Sequence, residues 1–300
     1  MNFDIVCFGS AVIDTFISTK IKEKGQFFNY HLGDKILIDN LKFDIGGGGT
    51  NTAVAFSRLG FKTGCICNIG TNEAGHQILH LLAKEKVYLL NKNPKGETGY
   101  SVILDSKQSD RTILTYKGGN NDISLSDIPS FSTSWLYLSS LLGKSLKTQI
   151  SLARALKKKK TKIVFNPSLY LIQNAEIKEL LKITDVLILN LEEAKKISEK
   201  YFGSQDIESL LKLGPKTIVV TNGEKEIVCF SNKQKQKIIP KKVKAVELTG
   251  AGDAFASGFV AGLALNWPIK KCLELGLKES TAVIKHFGAK NNLIKKKLVK

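Results

Sequence analysis

The sequence predicts an α/β fold, a mostly parallel central sheet covered by helices on both faces, with a small β lid inserted into it. Three observations predict this. Strand-like apolar runs alternate with helix-period segments along nearly the whole chain. The strand runs are continuously apolar, as expected where both faces of a sheet are buried. Two stretches break the rhythm with short polar alternation and suit antiparallel strands outside the main sheet.

The first run, 3–8, closes on Gly9-Ser10, with Asp14 just beyond. Residues 15–44 alternate in short pieces, including Phe27-Phe28-Asn29-Tyr30 and Ile36-Leu37-Ile38. Asp44-Ile45-Gly46-Gly47-Gly48-Gly49-Thr50-Asn51 then leads into an apolar helix ended by Gly60. Four glycines imply close backbone approach or unusual φ, and a small ligand against the helix start explains them better than a linker does. A strand at 62–69 and a helix at 73–86 follow. Residues 98–104 and 111–116 flank the polar turn 105–110 and pair with the earlier insert as a lid. Strands at 135–139, 162–166, 185–190 and 216–221 alternate with helical segments near 146–159, 174–181 and 191–200. Ligands collect beyond the C-terminal ends of such strands, where Asp14, Asn166, Asn190 and Thr221 are expected. Two more strand-like stretches, 227–231 and 236–240, precede a last helical region from 269 to about 287. Neither repeat nor linker divides the sequence, so one domain over 1–300, with lid strands inserted at about 15–44 and 97–118, is the economical account.

Everything converges on Glu247-Leu248-Thr249-Gly250-Ala251-Gly252-Asp253-Ala254-Phe255. Its glycines let backbone N–H groups meet at one point, and the helix that follows directs its positive end there, which makes an anion site. Asp253 at the mouth is placed to take a proton from a nucleophile approaching a bound phosphate. Acidic residues in a first helical turn are also simply stabilising, so the segment alone leaves both readings open. Gly258 and Gly262 further along are expected to let this helix pack closely on the sheet.

A formal charge of +18 invites a nucleic-acid reading, but only Arg58, Arg111 and Arg154 among the 45 basic residues are arginine. Lysine lacks the bidentate and stacking geometry of nucleic-acid recognition, so dispersed lysines read as solvated faces. Five cysteines, Cys7, Cys65, Cys67, Cys229 and Cys272, sit in apolar runs and read as reduced core thiols. His76 and His80 share a helix face without a third metal ligand. The start lacks the layout of a secretory signal and no apolar run spans a bilayer, which points to the cytoplasm.

With the bend at 46–51 and the turn at 249–253 both present, the chain resembles the ribokinase-like, phosphofructokinase-B-type family of carbohydrate and nucleoside kinases. The resemblance runs from about Phe3 to Ala289 and implies a three-layer α/β/α fold that moves the γ-phosphoryl group of ATP, with Mg²⁺, to an acceptor hydroxyl. It implies acceptor contacts for Gly46, Gly47, Asn51 and Asp14. Asn190 and Glu193 would act near the metal, Glu193 through water, and Thr221, Gly223 and Thr249 would lie on the nucleotide side. The amides of Gly250, Ala251 and Gly252 would form the anion hole, with Asp253 as base. Glu247 and Leu248 depart from the family's usual residues in a region linked to monovalent cations, leaving potassium dependence open. Asn72 stands where the family often has Asp. Arg111 on the lid is a candidate for a phosphate on the acceptor or a solvated edge residue, and Asn120-Asn121 resembles a segment returning from the lid. The implied partners are a small sugar or nucleoside and ATP, with neither specific nucleic acid nor membrane. Related lids also mediate pairing of subunits, which raises a homodimer.

Overall fold

The computed structural model describes residues 1–19, 27–91, 94–105, 111–231, 234–295 and 298, excepting the side chains of Asp105 and Arg111. In chain order the strands are β1 (Asn2–Phe8), β2 (Val12–Thr19), β3 (Ile38–Gly46), β4 (Thr63–Ile66), β5 (Tyr88–Leu89), β6 (Gly99–Asp105), β7 (Arg111–Tyr116), β8 (Ser132–Ser139), β9 (Lys162–Asn166), β10 (Val186–Asn190), β11 (Thr217–Thr221), β12 (Ile227–Ser231) and β13 (Gln234–Ile238). The helices are α1 (Gly48–Arg58), α2 (Glu73–Lys84), α3 (Gly143–Lys158), α4 (Leu169–Asn174), α5 (Lys178–Ile183), α6 (Leu191–Phe202), α7 (Ala251–Ala264) and α8 (Ile269–Val283).

Nine strands form the main sheet in the order β13-β12-β11-β10-β9-β8-β1-β4-β5. Every pair is parallel except β11–β12 and β12–β13. Period-two alternation sends neighbouring side chains to opposite faces. Ile5 and Cys7 of β1 join a core with α1, α2, α7 and α8, whereas Val6 and Phe8 join a second core with α3, α4, α5 and α6. This double burial is why the strands read as unbroken apolar runs. All five cysteines are free and buried, and the Cys65 and Cys67 sulfurs lie 3.6 Å apart on one strand face.

A separate four-stranded sheet has the order β3-β2-β6-β7. Asp14 pairs across the strands with Asp44 and Ser101, so all three side chains share one face. Phe43, Thr15, Val102 and Leu114 are likewise in register on the other face. There Phe43 is 59% exposed, while Leu114 and Tyr116 are each 57% exposed.

Several local expectations need correction. Phe27–Tyr30 forms no strand beyond an isolated bridge at Phe27. β3 instead starts at Ile38 and carries Asp44-Ile45-Gly46 as its last residues, because β2 offers a continuous partner through Gly46. The turn 106–110 lies outside the described residues. The segment expected as one helix near 174–181 is α4 and α5, broken at 175–177. Lys200 Nζ takes the Ile172 and Ala175 carbonyls, and Glu176 accepts the Lys178 N–H, so both new helix ends find partners. Gly258 and Gly262 face α8 rather than the sheet. A Cβ on Gly258 would lie 2.8 Å from the Gly276 Cα, and one on Gly262 would lie 2.9 Å from the Cys272 Cα. No helix of the described residues is long and apolar enough to cross a membrane.

Candidate functional site

The site begins where β1 ends. Gly47 stands at φ 98°, a conformation open to glycine, and a side chain there would press into the Ser10 carbonyl at 2.4 Å. That bend turns β3 into α1 and puts Asn51 in the first turns of α1, 5% exposed. On the other side of the site Gly250 adopts φ 78° as the residue before α7, which puts Asp253 in that helix's first turn.

The two bends meet. Asn51 Nδ2 donates to Asp253 Oδ2 at 2.8 Å. Asn51 Oδ1 in turn accepts from Lys290 Nζ, which also donates to the Ile45 carbonyl. An ammonium only donates and an ionised carboxylate only accepts, so the orientation of the carboxamide between them is determined. Burial raises the Asp253 carboxyl above its ordinary value, against the Asn51 hydrogen bond and the Lys290 charge. Burial likewise pushes Asp14 up to about 6, offset by Lys290 and Ser101 and reinforced by Asp44 and Asp253. Lys290 is lowered by burial, opposed by Asp44, Asp14 and Asp253.

A cavity of about 350 Å³ opens beside Asp253, lined among others by Ser10, Ser139, Asn166, Asn190, Glu193, Thr221 and Gly252. A second, of about 240 Å³, shares Thr221, Leu248, Gly252 and Phe255 with it and adds the apolar side chains of Ile227, Val243, Leu277 and Ile284. Gly223 and Ala251 line only the second. A polar chamber therefore joins an apolar one at the N-terminus of α7.

Asn190 and Glu193 form a capping box on α6. Glu193 Oε2 accepts from the Asn190 N–H and Asn190 Oδ1 accepts from the Glu193 N–H, both at 2.8 Å. Both residues of this cap also line the main cavity. Burial holds Glu193 up at about 7, with the Asn190 backbone bond opposing.

Three placements differ from the sequence reading. Asp14 is not at the end of a main-sheet strand but inside β2 of the four-stranded sheet, brought to the site by that sheet's inner face. Ala251 N–H already donates to the Leu248 carbonyl at 3.2 Å, closing the turn. The amides of Gly252 and Asp253 lie in the first turn of α7, where a helix offers them no acceptor of its own. Thr249 directs its hydroxyl to Glu247 Oε1 at 2.6 Å. Gly46 backs onto Asp14, where a Cβ would meet Oδ2 at 1.8 Å. The Arg111 side chain lies outside the described residues. Asn72 accepts from the Gly75 N–H and the Thr98 hydroxyl, so it serves as the N-cap of α2. Asn120 donates to the Ala11 carbonyl and accepts from the Ala11 N–H, clasping the start of β2.

Lys290 is a site residue that sequence reasoning missed. It sits in a lysine-rich tail that reads as solvated surface, and only the two glycine bends enclosing it reveal that it is 4% exposed.

Compared with known proteins, residues 2–296 match the family model for pfkB family carbohydrate kinases. The chain belongs to that family. This kinase is 26% identical over 282 residues to a ribokinase of Lactococcus lactis subsp. lactis, covering 89% of this chain and 88% of that one. It is 24% identical to an ATP-dependent 6-phosphofructokinase of Thermoanaerobacterium thermosaccharolyticum, covering 96% and 90%. Among solved structures, a nucleoside kinase of Methanocaldococcus jannaschii superposes with a TM-score of 0.81 at 20% identity, covering 97% and 94%. A ribokinase of Giardia lamblia gives 0.83 at 18%, covering 97% and 96%. The protein is an ATP-dependent carbohydrate kinase with the ribokinase fold.

Proposed function

We propose that the kinase transfers the γ-phosphoryl group of ATP to a hydroxyl of a sugar or sugar-like acceptor, with Asp253 as the base. The observation that carries this is the 2.8 Å bond from Asn51 to Asp253, which joins the two glycine bends at one cavity. Because Oδ2 is held by Asn51, Oδ1 is left to the cavity side, near Gly48. Oδ1 takes the proton of the acceptor hydroxyl as that oxygen bonds to the γ-phosphorus and the bond to the leaving ADP breaks. The Gly252 and Asp253 amides hold the charged oxygens of the group in transfer. Asp14, Gly46, Gly47 and Asn51 orient the acceptor, a carboxylate accepting from hydroxyls without attracting phosphate. The apolar chamber suits an adenine, with Thr221 and Gly223 at its edge and Thr249 bracing the turn beside it.

The donor set fits a hydrated Mg²⁺. No cluster of three or more metal-binding side chains exists among the described residues, and magnesium in such sites keeps water and phosphate oxygens as most of its ligands. Glu193 and Asn190, on the cavity wall, would hold it through water. Bound there, Mg²⁺ would neutralise part of the phosphate charge. Glu247 Oε1, at the position linked to potassium, already accepts from the Thr249 N–H and hydroxyl, and no step here uses that ion. The exposed apolar face around Phe43, Leu114 and Tyr116 further supports a homodimer formed through the four-stranded sheet.

The test is a coupled ADP-release screen against pentoses, hexoses, sugar phosphates and nucleosides, repeated with Asp253→Asn. Turnover with a sugar that falls roughly 10²–10⁴-fold in the variant, with ATP binding kept, is expected. An unaffected rate removes Asp253 as base, and turnover with nucleosides alone replaces the acceptor class.

A further inference from the structure

Between β7 and the turn at Gly118–Asn121 the chain places a single side chain, Lys117, in the wall of the main cavity. Its backbone is fixed: Asn120 donates to the Lys117 carbonyl at 2.9 Å and itself clasps Ala11. Its ammonium lies 4.5 Å from the centre of the Tyr170 ring, and Tyr170 is anchored by its hydroxyl donating to the Ser140 carbonyl at 3.0 Å. Among the described residues no carboxylate reaches the Lys117 ammonium within ion-pair distance, and no acceptor takes a hydrogen bond from it. Burial pulls it below the ordinary lysine value, with Asp14 opposing. Ser139, 5% exposed in the same cavity, also has a hydroxyl oxygen without a partner. A point just above Gly48 is 2.7 Å from that oxygen and 3.7 Å from Asp253 Oδ1, so Ser139 and the base border the same space.

A half-buried cation held against an aromatic ring without a counter-charge keeps part of its desolvation cost, which an entering anion offsets. Here the anion has an address. Asp253 and the amides of α7 bound the cavity, Lys117 and Ser139 line it as well, and the Asp14 charge opposes the lowering of Lys117.

We propose that Lys117 is a catalytic clamp on the phosphoryl group in transfer, its ammonium and the Ser139 hydroxyl gripping the oxygens that the α7 amides do not reach. This rests on the reading of the cavity as a phosphoryl-transfer site. Lys117 keeps its proton throughout; the proton of the acceptor hydroxyl still goes to Asp253. The clamp acts most strongly when the three oxygens of the moving group carry the most charge.

The experiment compares wild type, Lys117→Met and Lys117→Arg in three measurements. By titration calorimetry, Lys117→Met is expected to lose about tenfold or more in affinity for the β,γ-imido analogue of ATP while binding ADP within about twofold of wild type, as for one charge-assisted contact. In steady-state ADP release with the first acceptor that turns over, kcat/KM falls about 10²–10³-fold, and Lys117→Arg recovers part of it. Without ligand, Lys117→Met melts no lower than wild type, because it removes a half-buried cation that has no ion pair. Equal losses for ADP and analogue, a lower melting temperature without ligand, or unchanged turnover would each overturn the clamp. Should wild type bind neither nucleotide, the phosphoryl-transfer reading falls and takes the clamp with it. If wild type binds and turns over while Lys117→Met matches it, only the clamp falls.

Discussion

Replacing Lys290 by methionine keeps an unbranched side chain one atom shorter and deletes its charge. The variant leaves Asn51 Oδ1 and the Ile45 carbonyl without their donor and removes a cation from among Asp14, Asp44 and Asp253. The ammonium and the Asp253 carboxylate face each other across one carboxamide, a separation of roughly 7 Å, worth roughly 2.4 kcal/mol at an effective dielectric near 20. Because the charge lowers the carboxyl pKa of Asp253, deleting it raises that pKa. The measurement is kcat against pH by coupled ADP release. The acidic limb, where Asp253 gains its proton, is expected to move to higher pH, with kcat lower at every pH as Asn51 loses its fixed orientation. Stability follows the same sign. Asp14 has a folded value near 6, above its unfolded one, so its protonated form stabilises the fold below the unfolded value and that contribution fades as pH rises through 6. Without Lys290 the fading carries on to higher pH, and Lys290→Met should melt closer to wild type at acid than at alkaline pH. An acidic limb within about 0.3 units of wild type would refute the relay from Lys290 through Asn51.

Three further outcomes are expected. Gly250→Ala meets Ala289 Cβ at 2.5 Å from a left-handed backbone and should lose about 1–3 kcal/mol of stability in thermal or denaturant melts. Gly252→Ala meets nothing within 4 Å, so it should melt as wild type or higher yet weaken ATP in kinetic assays, its methyl standing where the two chambers join; the opposite pattern would remove Gly252 from the phosphate cradle. Charging the exposed lid face with Phe43→Glu and Leu114→Glu should convert a dimer to a monomer in sedimentation velocity, whereas a wild-type monomer at micromolar concentration ends that proposal.

What could be read from the sequence follows from range. The main sheet was legible because burial on both faces leaves its strands apolar throughout, and α7 because glycine spacing and apolar period act over a dozen residues. The break between α4 and α5 was not, since it depends on Lys200 reaching back 25 residues to the Ala175 carbonyl. Nor was the partner of Gly258, because a glycine reveals that something approaches but not which element does. Asp14 was visible as an acidic residue near the first strand, but its place in a second sheet depends on a register with Asp44 and Ser101 that no local pattern encodes. Lys290 and Lys117 look like any other lysines in a chain with 45 basic residues. Only enclosure distinguishes them.

The Lys290–Asn51–Asp253 chain has a consequence for biogenesis. Its members are residues 51, 253 and 290, separated by 202 and 239 positions in the sequence. A ribosome that has not passed residue 253 has made neither contact. The centre closes only once residue 290 has been added, and a message cut short before that residue yields a polypeptide without its internal cation.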